Sequence, residues 1–305
     1  MTGAPTATGN ALADAFAAGR FAVTVEVAPP ASADPEHLIE RVRPLVGRVD
    51  AINLTDGAGA RAAMASLAAA ALVRGAGAEP VMQMTCRDRN RIAIQSDILG
   101  AAALGIRNIL VLHGDDPATG DQPDARPVWD YDSRAVMTAV RGMRDDGTLP
   151  SGRALAAAPA MLIGCADTPT DPPPGWHPGG LAAKADAGAD FVQTQFCFEL
   201  AAARRYMAAL VDAGLTERLK VVLGVGPIAS ARSARWMNDN LFGVSVPDAW
   251  IDRLDRSDDP SGEGVAMCAE LIAGLSEIDG VAGVHIMAPV GGTAAVMRVL
   301  DRLDA

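Results

Sequence analysis

Short apolar runs rich in Val, Ile and Leu alternate along the whole 305-residue chain with longer stretches in which Ala, Leu and Arg recur at helical spacing. The apolar runs at 21–28, 49–55, 80–86, 108–113, 160–166, 191–198, 220–225 and 281–288 read as strands. Helical patterning falls at 35–46, 61–74, 91–104, 133–143, 181–187, 200–213, 231–240, 264–275 and 293–303. Strands that are apolar almost throughout, each followed by a helix, form a parallel sheet covered by helices. Eight such units predict α/β architecture as a single-domain (β/α)8 TIM barrel over 21–305, preceded by a flexible N-terminal segment at 1–20. An open doubly wound sheet would usually carry GxGxxG after an early strand. Here the first strand ends in Ala28-Pro29-Pro30, and Gly224-Val225-Gly226 runs into Pro227.

Half the residues are hydrophobic, enough for a large core, and 26 Lys plus Arg stand against 37 Asp plus Glu for a net charge of −11. An acidic surface without a basic stripe argues against nucleic acid and anionic membranes as partners. Four dispersed cysteines (Cys86, Cys165, Cys197, Cys268) without a CxxC pair read as small buried apolar residues in a reducing compartment. The four histidines are equally scattered, so no metal site is expected. The opening Met1-Thr2-Gly3-Ala4-Pro5 lacks the basic-then-apolar pattern of a secretory signal, and the Ala-rich stretch at 62–72 is too short to span a bilayer. A cytoplasmic location is expected, and self-association is left open.

Loops after barrel strands form the rim that carries function, and the long Pro/Gly/Asp-rich loops at 115–130 and 167–180 both follow strands. Polar residues at strand ends are therefore the candidates. Glu26 closes the first strand; pointing inward it would be partly desolvated, which favours the protonated form a general acid needs. Pointing outward it would pair with a surface cation, and alternation alone gives even odds. Asp115 or Asp116, after Gly114, could face the cavity or cap the following loop. Gln195 could read the edge of a heterocycle or be an ordinary strand-end amide. Arg87, Arg89 and Arg91 could bind phosphate or carboxylate, although charged residues opening a solvated helix are commoner. His113 reads as a packed strand residue more readily than as a proton carrier. Trp236, Met237 and Phe242 could touch a substrate from the rim or form a buried helix face.

Several segments taken in order are more telling than any alone: Val25-Glu26-Val27-Ala28-Pro29-Pro30, Thr85-Cys86-Arg87-Asp88-Arg89-Asn90, Gln95-Ser96-Asp97, Gly105-Ile106-Arg107-Asn108, His113-Gly114-Asp115-Asp116-Pro117, Asp186-Ala187-Gly188-Ala189-Asp190-Phe191, Thr194-Gln195-Phe196 and Gly243-Val244-Ser245-Val246-Pro247. Their content and order resemble the methylenetetrahydrofolate reductase family from residue 21 onward, nearest in flavour to the branch of acetogens and of bacterial homocysteine methyltransferase fusions. The resemblance implies a (β/α)8 barrel that holds FAD at the C-terminal rim. It implies NADH or NADPH as electron donor and a folate substrate, 5,10-methylenetetrahydrofolate, reduced to 5-methyltetrahydrofolate. It makes Glu26 the general acid, Asp115 the electrostatic partner of the cationic iminium, and Gln195 the pterin contact. Thr55, Gln83, His113, Gly114 and Lys184 become cofactor contacts, with Lys184 at the phosphates.

The chain also departs from the family pattern. His113-Gly114-Asp115 stands where Arg-Gly-Asp or Thr-Gly-Asp is usual, and Gln83 stands where many members have histidine. The loop at 167–180 replaces a charged helix start with Pro and Gly, and an aromatic stacking position near Thr168 is absent. These departures predict weak FAD binding, or hydride passed directly from nicotinamide to folate. Two alternatives remain: a barrel reductase of another one-carbon carrier, such as methylene-tetrahydromethanopterin with a deazaflavin, and a non-catalytic folate-binding or partner subunit.

Overall fold

The structure is a computed structural model that describes residues 9–173 and 175–304. Eight parallel strands, β1 (Ala22–Val27), β2 (Ala51–Leu54), β3 (Pro80–Thr85), β4 (Asn108–Leu112), β5 (Leu162–Asp167), β6 (Phe191–Phe196), β7 (Lys220–Val225) and β8 (Val281–Ile286), close into a barrel in sequence order. Around and beneath it lie α1 (Ala11–Ala17), α2 (Glu36–Val42), α3 (Ser66–Gly75), α4 (Arg91–Ala103), α5 (Ser133–Arg141) and α6 (Gly179–Asp186). The ring is completed by α7 (Leu200–Asp212), α8 (Ala231–Asn240), α9 (Asp248–Asp255), α10 (Pro260–Ser276) and α11 (Gly292–Leu303). The (β/α)8 expectation is met, with each predicted strand present.

Strand alternation divides the apolar residues between two cores. Val25, Val27, Ile52, Leu54, Met82 and Met84 face outward and pack under the helices. Ala22, Ala51, Val81, Leu110, Phe191 and Val222 face inward and fill the lower barrel. The inner core is closed from below by α1, whose Leu12, Ala15 and Phe16 are buried in it. Within the segment 1–20, residues 11–17 form α1, and the Asn10 side chain caps it, accepting from the Ala13 amide at 3.2 Å and donating to Asn108 Oδ1 at 2.7 Å. Residues 1–8 of that segment lie outside the described residues.

Two further differences have local causes. The helix expected from 61 starts only at Ser66, because 57–60 make a tight turn with left-handed backbone at Gly57, Gly59 and Ala60. The short α9, opened by Pro247 and burying Ile251 and Leu254, gave too brief a periodic signal to be expected. Among the described residues no helix is long and apolar enough to cross a membrane.

Candidate active site

On β1, alternation puts Ala22, Thr24 and Glu26 on one face, and the partners of Thr24 show that this face is the barrel interior. That settles the even odds left by the sequence: Glu26 points into the C-terminal mouth, its side chain 32% exposed. Gln83, on β3, donates from Nε2 to Glu26 Oε2 at 3.2 Å. Glu26, Gln83, Gln195 and Lys184 line one cavity of about 330 Å³, together with the apolar Leu110, Leu112, Ala166 and Met287 and the buried Gln193 and His285. A volume near 300 Å³, with apolar side chains and a few convergent polar groups in its wall, suits a flat heterocycle.

Gln195 reaches this cavity through a bulge. The β6–β7 register runs from Gln193 opposite Val222 to Phe196 opposite Gly224, so β6 carries one extra residue. Thr194 Oγ1 accepts from the Gly224 amide at 2.9 Å, compensating the interrupted ladder, and the bulge re-aims Gln195. The Gln195 amide is held at both ends, Oε1 by the Phe196 amide at 3.0 Å and Nε2 by the Phe242 carbonyl at 3.5 Å. At the far wall Lys184 donates to the Ala166 carbonyl at 2.5 Å and lies 3.6 Å from Asp167. Asp167 in turn accepts from the buried Tyr206 hydroxyl at 2.6 Å. Burial, with the adjacent Asp167 carboxylate, pushes the Tyr206 hydroxyl up, which keeps it a donor.

Other sequence candidates sit elsewhere on the rim. Asp115 is exposed and accepts from the Gly59 amide at 2.8 Å, bridging the loops after β2 and β4 rather than lining this cavity. His113 stacks on Trp129 at 5.4 Å, and Thr55 is buried at the end of β2. Gly114 adopts φ +99°, and a Cβ there would stand 2.9 Å from Arg87 Cβ, so its requirement is steric packing on β3. The arginines after β3 serve the scaffold. Arg89 forks onto Asp56 at 2.7 and 3.1 Å and reaches Asp97 at 2.8 Å, while Arg87 grips Asp88. Burial alone would raise the Asp56 carboxyl; the Arg89 guanidinium and the Thr85 amide and hydroxyl outweigh it and hold the group below its ordinary range.

Sequence reasoning missed the layer beneath Glu26. Thr24, Asn53, Gln193 and His285 are all buried in the barrel axis. Gln193 accepts from Asn53 Nδ2 at 2.6 Å and donates to Thr24 Oγ1 at 3.0 Å; His285 Nδ1 lies 2.9 Å from Thr24 Oγ1. The signal was available: each is a polar residue at an inward position of a strand. A second cavity of about 410 Å³ opens at the ends of β7 and β8, lined by Pro227, Ile228, Trp236, Met237 and Pro289 with Arg232 beside them. Met237 is buried on the inner face of α8, whereas Trp236 and Phe242 are exposed.

The methylenetetrahydrofolate reductase family profile matches residues 11–304, nearly the whole chain. The chain belongs to that family. It is 26% identical over 226 residues to a probable methylenetetrahydrofolate reductase (NADPH) of Caenorhabditis elegans, a match covering 72% of this chain and 31% of that one. It is 26% identical over 187 residues to methylenetetrahydrofolate reductase 2 of Schizosaccharomyces pombe, covering 58% of this chain and 27% of that one. The matched part is thus under a third of each of these relatives. Among solved structures, a Clostridium thermocellum protein described as binding two copies of 5-methyl-5,6,7,8-tetrahydrofolic acid superposes with a TM-score of 0.61 at 12% identity, over 93% of this chain and 96% of that one. EDTA monooxygenase of Chelativorans gives 0.53 at 12% identity, over 93% and 94%. At these identities the likeness is one of fold.

The family's flavin can be tested against these residues. The apolar side chains of Leu110, Leu112 and Met287 and the polar edges of Glu26, Gln83 and Gln195 fit a flat ring system. For a phosphate the cavity offers Lys184, already tied to Ala166 and Asp167, and the loop at 167–180 contains no Lys or Arg. The fit is good for the ring and sparse for a charged tail. Among the described residues no group of three or more His, Cys, Asp or Glu could hold a metal ion.

Proposed function

We propose that the protein reduces 5,10-methylenetetrahydrofolate to 5-methyltetrahydrofolate at the barrel mouth, with NADH or NADPH as electron source and FAD as a weakly held carrier. The observation that carries this reading is the single cavity that Glu26 and Gln195 line together, in a chain of this family. The bridging methylene carbon accepts a hydride only as a cationic iminium. Glu26 delivers its proton to N10 of the bridge, the carbon–N10 bond breaks, and the carbon left double-bonded to N5 accepts the hydride. A bound flavin would supply that hydride after taking it from the nicotinamide. Gln195, pinned at both ends of its amide, orients the pterin edge, while Leu110, Leu112 and Met287 exclude water from the iminium. The apolar cavity beside Trp236 accommodates the aryl tail of the folate, next along the rim. Asp115 is assigned the balancing negative charge at longer range.

The test is product formation. Purified protein supplied with methylenetetrahydrofolate, added FAD and NADH or NADPH should yield 5-methyltetrahydrofolate. A stoichiometric absorbance band near about 450 nm in protein purified without added cofactor would contradict weak flavin binding. Turnover only with reduced deazaflavin and a methanopterin would move the activity to another carrier. Folate binding without oxidation of either nicotinamide, with or without flavin, would make the protein a folate-binding subunit instead.

A further inference from the structure

We infer that Arg232 holds the glutamate carboxylate of the folate, in the apolar cavity beside Trp236. The inference rests on the folate reading above and names the group that tells a folate from a bare pteridine. That cavity, of about 410 Å³, has apolar walls from Pro227, Ile228, Met237 and Pro289. Among the described residues lining it, Arg232 alone carries a charge. Its side chain is exposed and makes no hydrogen bond or ion pair among the described residues. By contrast Arg87, Arg89 and Lys184 are all committed to carboxylates. In a chain of net charge −11, an uncommitted cation at the wall of an apolar cavity favours an anionic ligand there over the rest of the surface.

Helix geometry brings the recognition groups together. Arg232 and Trp236 are four residues apart on α8, so they share one face of that helix. Trp236 is 56% exposed, a large ring left in water at the cavity wall. This cavity adjoins the one that holds Glu26: Gln195 lines the first and Phe196 the second, Met287 the first and Pro289 the second. Their walls meet where Gly226 packs on the Met287 carbonyl, so closely that an added Cβ would lie 2.1 Å from its oxygen. A folate carries its groups in the matching order. The N10 atom that receives the Glu26 proton bears a benzoyl ring, and one amide beyond that ring stands the glutamate. With the pterin at Gln195 and the ring beside Trp236, the carboxylate comes to Arg232, whose planar fork suits it.

Calorimetric titration of the full chain with two ligands tests this: 5-methyltetrahydrofolate, and the neutral amide of 5-methyltetrahydropteroic acid, which has no glutamate. Arg232→Gln should weaken folate binding about tenfold, the low end for a hydrogen-bonded charge because the arginine is exposed, and leave the amide unchanged. Arg232→Lys should recover part of the loss. Added salt should weaken folate binding more in wild type than in Arg232→Gln. Melting temperatures should agree among the three proteins, since Arg232 has no partner to lose. Unchanged folate affinity in Arg232→Gln, an equal loss for both ligands, or a loss confined to NADH or NADPH would overturn the inference while leaving the folate reading in place. Wild-type protein that binds neither ligand would remove that reading, and the inference with it.

Discussion

Asp115 accepts a hydrogen bond from the Gly59 amide at 2.8 Å, so a carboxylate that the sequence places at the reacting heterocycle also ties the loop after β4 to the loop after β2. Its neighbour Gly114 sets that position, with φ +99° and no room for a Cβ between Thr85 and Arg87. Gly114→Ala should destabilise the fold by about 1–3 kcal/mol, the cost of forcing a side chain into such backbone. Urea unfolding checks this; an unchanged midpoint would mean that the rim relaxes freely.

Asp56 should govern acid stability. Its folded carboxyl is held below the ordinary aspartate range because Arg89 and Thr85 outweigh burial, so its contribution is present above that range and is lost as pH falls through the lower folded value. Asp56→Asn leaves Arg89 with Asp97 as its one remaining carboxylate partner and should cost about 1.5–3 kcal/mol at neutral pH, the range for hydrogen bonds to a charged group. The gap in melting temperature between wild type and variant should narrow below about pH 4. A gap that stays constant through acid would assign the loss to packing instead.

The cysteines should be inert while the protein is folded. All four are buried and free, and burial pushes Cys86 up to about 11 and Cys165 and Cys268 to about 12. A thiol reagent at pH 8 should label none of them quickly in native protein and all four after denaturation. Rapid labelling of Cys86 alone would reveal local opening after β3.

The barrel was legible because its signal is periodic: eight apolar strands and their helices repeat along the chain. The helix α1 was not, since only seven residues carry it and its hold comes from Asn108 and the barrel floor rather than from local pattern. Of the named site residues, Glu26, Gln83, Gln195 and Lys184 come together on one cavity. The separation of Asp115, His113, Gly114 and Thr55 from it depends on loop geometry that no spacing encodes. His285, Thr24, Asn53 and Gln193 escaped because a barrel interior was read as apolar, whereas here its middle layer is a satisfied polar network.

The central claim is that Glu26 gives its proton to the folate and to nothing else, and the two half-reactions of Glu26→Gln measure this directly. With flavin supplied, oxidation of reduced nicotinamide should proceed near the wild-type rate, while folate reduction should fall about a hundredfold or more. Equal loss in both half-reactions, or none in the folate half, would contradict it.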